Sequence, residues 1–171
     1  GQHACYLPGH LLGVCRGSGQ DGDLQTGLPW PQPRFEVENA TVRDRMTGLV
    51  WTQSARIGSP DPVNWEAAGN LIRNMNDHHV DGSAEWRLPT IRELESLCDM
   101  SAHSPALPFD HPFEDVQAFY WSSTTSQYDR QYAWVLYLVD GAVGVGFKPG
   151  AEFFAWAVRD GSKQSELKPA L

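Results

Sequence analysis

From Phe35 to Thr52 apolar and polar residues alternate in short runs separated by turn residues. Phe35-Glu36-Val37-Glu38 has the period of a strand, Asn39-Ala40 turns the chain, and Thr41-Val42-Arg43-Asp44 returns it. Met46-Thr47-Gly48 marks a second turn and Leu49-Val50-Trp51-Thr52 a third strand, so this segment predicts a small meander. The period then changes. Ala68, Leu71, Ile72 and Met75 recur at helical spacing, behind Asn64 as N-cap and with Glu66 in the first turn, which predicts a helix over residues 64–76. A second helix is expected over residues 90–98, with Leu94 and Leu97 facing inward. Thr90 and Glu93 have the spacing of a capping box, in which hydroxyl and carboxylate each satisfy a backbone amide at the helix start.

The last third returns to period two. Strands are expected at 120–124, 131–139, 142–147 and 153–159, with Asp140-Gly141 as a hairpin turn. In the second of these, Tyr132, Trp134, Leu136 and Leu138 share one face, and Ala133, Val135, Tyr137 and Val139 the other. Gly144 and Gly146 leave room for large rings against the returning strand. Strands, two helices and strands again predict an α+β fold, with two helices packed on antiparallel sheets and long irregular loops. Residues 1–33 read as an irregular lead, 34–160 as the domain, and 161–171 as a polar tail. Within the lead, Gly17–Asp23 is turn-forming, and Pro29, Pro31 and Pro33 around Trp30 predict an extended strap.

The chain has 171 residues, three cysteines, seven tryptophans and a formal net charge of −8. The acidic balance and lack of a basic stripe argue against nucleic acid as partner, and no apolar run is long enough to cross a membrane. Cys5 and Cys15 bracket a short loop. A bridge between them is the favoured reading, and it implies export to periplasm, cell surface or exterior. Two reduced cysteines, or a metal site with His3 and His10, are the alternatives. Cys98, on the second helix, reads as a buried small hydrophobe.

Chemistry is sparse. The 99–119 stretch carries Asp99, Asp110, Glu114 and Asp115, whose oxygens could hold a structural calcium ion. With His103 and His111 the same loop is the only basis for a metal-dependent enzyme. The Ser122-Ser123-Thr124 run lacks the strained elbow and matched histidine of a serine nucleophile, so its hydroxyls are expected to bond neighbouring loops. Arg87 and Arg159 could pair with carboxylates or hold a ligand. Tyr128, Tyr132, Trp134 and Trp156 are candidate rings for stacking on sugars.

An ordered set of motifs runs through the chain: Cys5…Cys15, Pro33-Arg34-Phe35, Thr47-Gly48-Leu49-Val50-Trp51, Trp86-Arg87-Leu88-Pro89-Thr90-x-x-Glu93-Leu94, Tyr120-Trp121-Ser122-Ser123-Thr124, Ala133-Trp134, Asp140-Gly141 and Val158-Arg159. In this it resembles the DUF1566 family, bacterial modules related to the C-terminal domain of the Legionella collagen-like adhesin. The resemblance implies a C-type lectin-like fold, shared with formylglycine-generating enzymes. Those enzymes depend on a copper-binding cysteine pair late in the domain, and this chain has no cysteine after Cys98. The Glu-Pro-Asn and Trp-Asn-Asp motifs of calcium-dependent sugar-binding lectins are missing as well. The resemblance therefore implies a non-catalytic, exported binding or adhesion module for a glycan or protein ligand, and the charge favours a neutral glycan or a basic protein face. A structural component of a surface or envelope assembly is the alternative.

Overall fold

The computed structural model describes residues 2–9 and 11–161. The predicted tail, apart from Gly161, and His10 lie outside the described residues. The architecture is α+β, with three antiparallel sheets.

The predicted meander forms as β3 (Phe35–Glu38), β4 (Thr41–Asp44) and β5 (Leu49–Thr52), and β9 (Val158–Asp160) pairs with β5 to complete a sheet of order β3-β4-β5-β9. A second sheet, β6-β7-β8, contains β6 (Phe119–Thr125), β7 (Tyr132–Tyr137) and β8 (Ala142–Phe147). Helix α2 (Trp65–Asp77) starts at Asn64, whose side chain accepts from the Ala67 N–H at 2.9 Å. Helix α3 (Ile91–Leu97) starts with the full capping box. The Glu93 carboxylate accepts from the Thr90 N–H at 2.7 Å, and the Thr90 hydroxyl accepts from the Glu93 N–H at 3.3 Å.

Alternation along β7 feeds two cores, one on each face of its sheet. Tyr120, Leu136 and Leu138 join Leu94 and Leu97 of α3, together with Trp51 and Trp156. Trp121, Ala133 and Val135 join Ala68, Ile72 and Met75 of α2, together with Val50 and Trp86. The tryptophans also set the loops. The indole N–H groups of Trp65, Trp86, Trp121 and Trp156 donate to the carbonyls of Ser122, Val80, Val63 and Thr52. Gly146 is where a ring needs space: a Cβ there would lie 2.5 Å from ring atoms of both Trp121 and Phe153.

Two expectations need correction. The lead is not wholly irregular. Strands β1 (Cys5–Tyr6) and β2 (Leu12–Gly13) form a hairpin, and α1 (Asp21–Leu24) is a single helical turn. The Cys5–Cys15 disulfide ties the hairpin. The Gln20 side chain bridges the backbone N–H and C=O of Tyr6 at 2.9 Å each, and only a glycine fits at Gly22 against the Ala4 carbonyl. The final strand is also shorter than predicted. Residues 153–157 divide their backbone hydrogen bonds among neighbours: Phe153 with Val63, Phe154 with Phe119 and Trp121, Ala155 with Ile57, Ala157 with Thr52. A segment shared between two sheets cannot extend one ladder, so only Val158–Asp160 is a strand.

One ion pair lies inside the fold. Arg34 and Asp44 form a buried bidentate ion pair, with Nε–Oδ1 at 3.2 Å and Nη2–Oδ2 at 2.9 Å. Nη2 also donates to the Ser96 carbonyl at the end of α3. The guanidinium lies over the rings of Trp30, at 4.6 Å, and Phe35, at 4.7 Å, so Trp30 anchors the proline-rich strap.

Candidate functional site

The sequence candidates separate into core, brace and surface. Trp156 is a correction: it is completely buried among Trp51, Phe113 and Tyr120 and cannot stack on a ligand. Arg87 is a brace. Its guanidinium donates to both Glu93 oxygens at 2.7 Å and to Asp160 at 2.8 Å, joining the helix cap to the last strand. Burial alone would raise the Glu93 carboxyl, but hydrogen bonds from Arg87 and Thr90 and the charge of Arg87 outweigh it and hold it below its ordinary value.

The calcium set does not assemble. The Asp99 carboxylate accepts from the N–H and hydroxyl of Ser101. Glu114 accepts from Gln53, and Asp115 accepts from Ser54 and faces Arg56 at 3.7 Å. Asp110 is exposed. Glu114 and Asp115 thus fasten the end of the 99–119 loop to residues 53–56, and among the described residues no group of three or more His, Cys, Asp or Glu is placed to hold a metal ion. The loop is held by Leu107 and Phe113 in the core, while Phe109 is fully exposed. His111 stacks on Phe113, and burial lowers its imidazole against the opposing charge of Asp110.

Other nucleophile types are also engaged. The Ser122 hydroxyl donates to the Trp134 carbonyl at 2.7 Å, the Ser123 hydroxyl to the Pro89 carbonyl at 3.2 Å, and Thr124 Oγ1 accepts from the Ile91 N–H at 3.0 Å. The hydroxyl run thus docks the start of α3 on β6. Cys98 is buried, and burial, with the charge of Glu95, pushes its thiol up to about 11.

What remains at the surface is a stripe at the open edge of the second sheet. Tyr132 pairs with Phe147, Trp134 with Val145 and Leu136 with Val143, so these six side chains share a face. Helix α3 covers the Leu136 end. Val143, Val145 and Phe147 are exposed, and Tyr132 and Trp134 are half-buried. The rings of Tyr132 and Phe147 lie 5.4 Å apart. Tyr128 is fully exposed in the β6–β7 connection, whose Ser126 N–H bonds the Tyr132 carbonyl. Tyr132, Trp134 and Tyr128 were candidates in the sequence. The Val143-x-Val145-x-Phe147 row was not, because the same pattern describes a buried strand.

The backbone of β8 is open too. The Lys148 N–H donates to the Gln131 carbonyl, one pair beyond Tyr132 and Phe147. In an antiparallel ladder bonded pairs alternate, so Val143, Val145 and Phe147 turn their N–H and C=O groups away from β7. The Phe147 carbonyl is taken by the N–H groups of Gly150 and Ala151. Strand β8 has no charged residue and no proline, the usual devices that blunt an edge.

Arg159 occupies a second surface feature. Its guanidinium lies over the Trp86 ring at 5.3 Å and borders a cleft of about 330 Å³ lined by Glu38, Asn39, Thr41 and Asp81.

Among the described residues no helix is long and apolar enough to cross a membrane. No curated protein matches the chain. The model of the family described as Lcl C-terminal domain matches residues 40–159, well over half the chain and all of the two larger sheets except β3 and the end of β9. The chain therefore belongs to the Lcl C-terminal domain family, that of the C-terminal domain of the Legionella collagen-like adhesin.

Proposed function

We propose that this domain is a non-catalytic, exported adhesion module that binds a protein ligand along β8. The observation that carries the proposal is the open β8 edge: a chargeless strand whose outward backbone groups, the Phe147 carbonyl apart, pair with no strand among the described residues, beside the exposed row Val143, Val145 and Phe147. Such an edge accepts an extended segment by strand addition. Backbone bonds then supply affinity, and the side-chain row supplies selectivity. The net charge of −8 favours a ligand with a basic face around that segment. The engaged hydroxyls, the buried Cys98 and the Arg87–Glu93 brace support a role without catalysis. The Cys5–Cys15 disulfide supports an oxidising compartment. The return of β9 to β5 and the long 99–119 loop support a C-type lectin-like reading of the fold. A second reading, a glycan stacked on the same face, is favoured by the rings of Tyr132, Trp134 and Tyr128.

The test is binding of the disulfide-bonded protein to an array of extended basic peptides and to a glycan array, with Val145→Lys and Trp134→Ala variants alongside. Strand addition predicts that Val145→Lys weakens peptide binding at least about tenfold, since a charged edge resists pairing. Binding that is lost only in Trp134→Ala, and only toward glycans, selects the second reading. Ligands that bind both variants as tightly as the parent protein refute both.

A further inference from the structure

The lead hairpin exposes large apolar side chains in close succession: Tyr6, Leu7, Leu11, Leu12 and Val14, the last two at 74% and 85%. Apolar surface concentrated in this way marks a contact site. The two edges of the hairpin differ. The Leu7 N–H donates to the Leu11 carbonyl across it. Bonded pairs alternate, so the next pair, Tyr6 and Leu12, turns its N–H and C=O groups outward. At Tyr6 both outward groups are taken by the Gln20 side chain, which closes the β1 edge as a neighbouring strand would. At Leu12 nothing among the described residues bonds them. The β2 edge is therefore open and apolar. The hairpin also differs in charge from the rest of the chain. All 21 acidic residues lie at Asp21 or beyond, and the residues before it carry Arg16, His3 and His10.

We propose that β2 of one chain pairs antiparallel with β8 of a second copy, so that copies join head to tail. This rests on the strand-addition reading of β8 and names the segment that is added. Within one chain, among the described residues, β2 pairs with β1 alone and β8 with β7 alone. Setting Leu12 opposite Val145 makes a bonded pair, because both residues turn their backbone groups outward. The Leu12 side chain then extends the row of Val143, Val145 and Phe147. In that register the hairpin chain runs on toward Asp140 of the acceptor. Arg16, from the acid-free segment, thus approaches an exposed carboxylate on a chain of net charge −8. Each joined pair keeps one free β2 and one free β8, so growth is open-ended.

The experiment is sedimentation velocity of the whole disulfide-bonded chain over a wide range of concentration. The parent is expected to grow into a ladder of oligomers. Leu12→Lys and Val145→Lys alter exposed side chains and should keep the parent's melting temperature. Each should weaken association at least about tenfold, since a charged edge resists pairing. An equimolar mixture of the two variants should form a dimer that grows no further, because one intact β2 meets one intact β8. Three results would overturn the proposal: a parent that stays monomeric, oligomers that persist in either variant, or a mixture that stays monomeric while the parent associates. A monomeric parent that floats with phosphatidylcholine vesicles, and loses this in Leu12→Lys, would assign the hairpin to a lipid surface instead. A monomeric parent that binds array peptides at β8 would overturn this partner and leave strand addition standing. One that does neither loses both.

Discussion

Replacing Asp44 with alanine removes the partner of a buried guanidinium and nothing else of comparable size. The pair sits 4% and 0% exposed, so solvent cannot compensate the loss. Two charge-assisted hydrogen bonds from Arg34 disappear, and so does the bond that the Met46 N–H makes to Asp44. Arg34 retains the Ser96 carbonyl and the faces of Trp30 and Phe35, which soften the penalty without neutralising the charge. Breaking a buried pair from one side costs about 3–5 kcal/mol. In a domain of this size each kcal/mol lowers Tm by roughly 2–4 °C, so Asp44→Ala should melt about 10 °C below the parent. Urea unfolding gives the free energy directly, provided the transition is two-state. The double variant Arg34→Met with Asp44→Leu removes both charges and should recover most of the loss, because the pair itself contributes little beyond its own desolvation. A cost below about 1 kcal/mol for Asp44→Ala would refute the reasoning. So would a double variant as unstable as the sum of the singles, which would show no coupling between the two residues.

The remaining expectations concern the helix cap, the sheet core and the thiol. Glu93→Gln should cost about 1–2 kcal/mol at neutral pH through the weakened cap and lost brace. Because the folded Glu93 carboxyl lies below its ordinary value of about 4.5, its stabilisation is present above that value and is lost as pH falls through the folded one. The gap between parent and variant in urea melts should therefore close on acidification, and a gap that widens would contradict the brace. Gly146→Val should cost about 1–3 kcal/mol by overpacking against Trp121 and Phe153, read by thermal melting. A neutral result would mean the rings can move aside. Cys98, with its thiol pushed up to about 11, should resist alkylation in the native state and label only as fast as the domain opens. Rapid native labelling would place it at the surface.

Local rules carried much of the fold. The Asn64 cap, the Thr90–Glu93 box, the period-two strands and the Asp140-Gly141 turn each depend on residues a few positions apart, so each was legible in the sequence. Long-range geometry was not. Residues 153–157 look like a strand because both cores demand apolar side chains there, while their backbone bonds are shared among several partners. Arg34 reads as a surface arginine until Asp44, Ser96 and Trp30 are brought around it. Trp134 and Trp156 carry the same side chain and the same local signal, and only their positions in the sheets separate a half-buried ring from a core ring. The Val143–Phe147 row reads as core for a similar reason: its exposure follows from the place of β8 at the edge of its sheet among the described residues, which no residue of β8 encodes.

That last point bears on how binding could vary without loss of the fold. The side chains that would touch a ligand at β8 (Val143, Val145 and Phe147) are all exposed. None of the three belongs to either core cluster. Surface substitutions away from packing and buried pairs change stability by about 0.5 kcal/mol or less. This row nevertheless sits on a rigid support. β8 is laddered to β7, whose side chains enter a core on each face of the sheet. Recognition is thus mounted on the fold, with few contacts that hold the fold together. A variant at any of these three positions that loses its ligand while keeping its melting temperature reports on the contact itself.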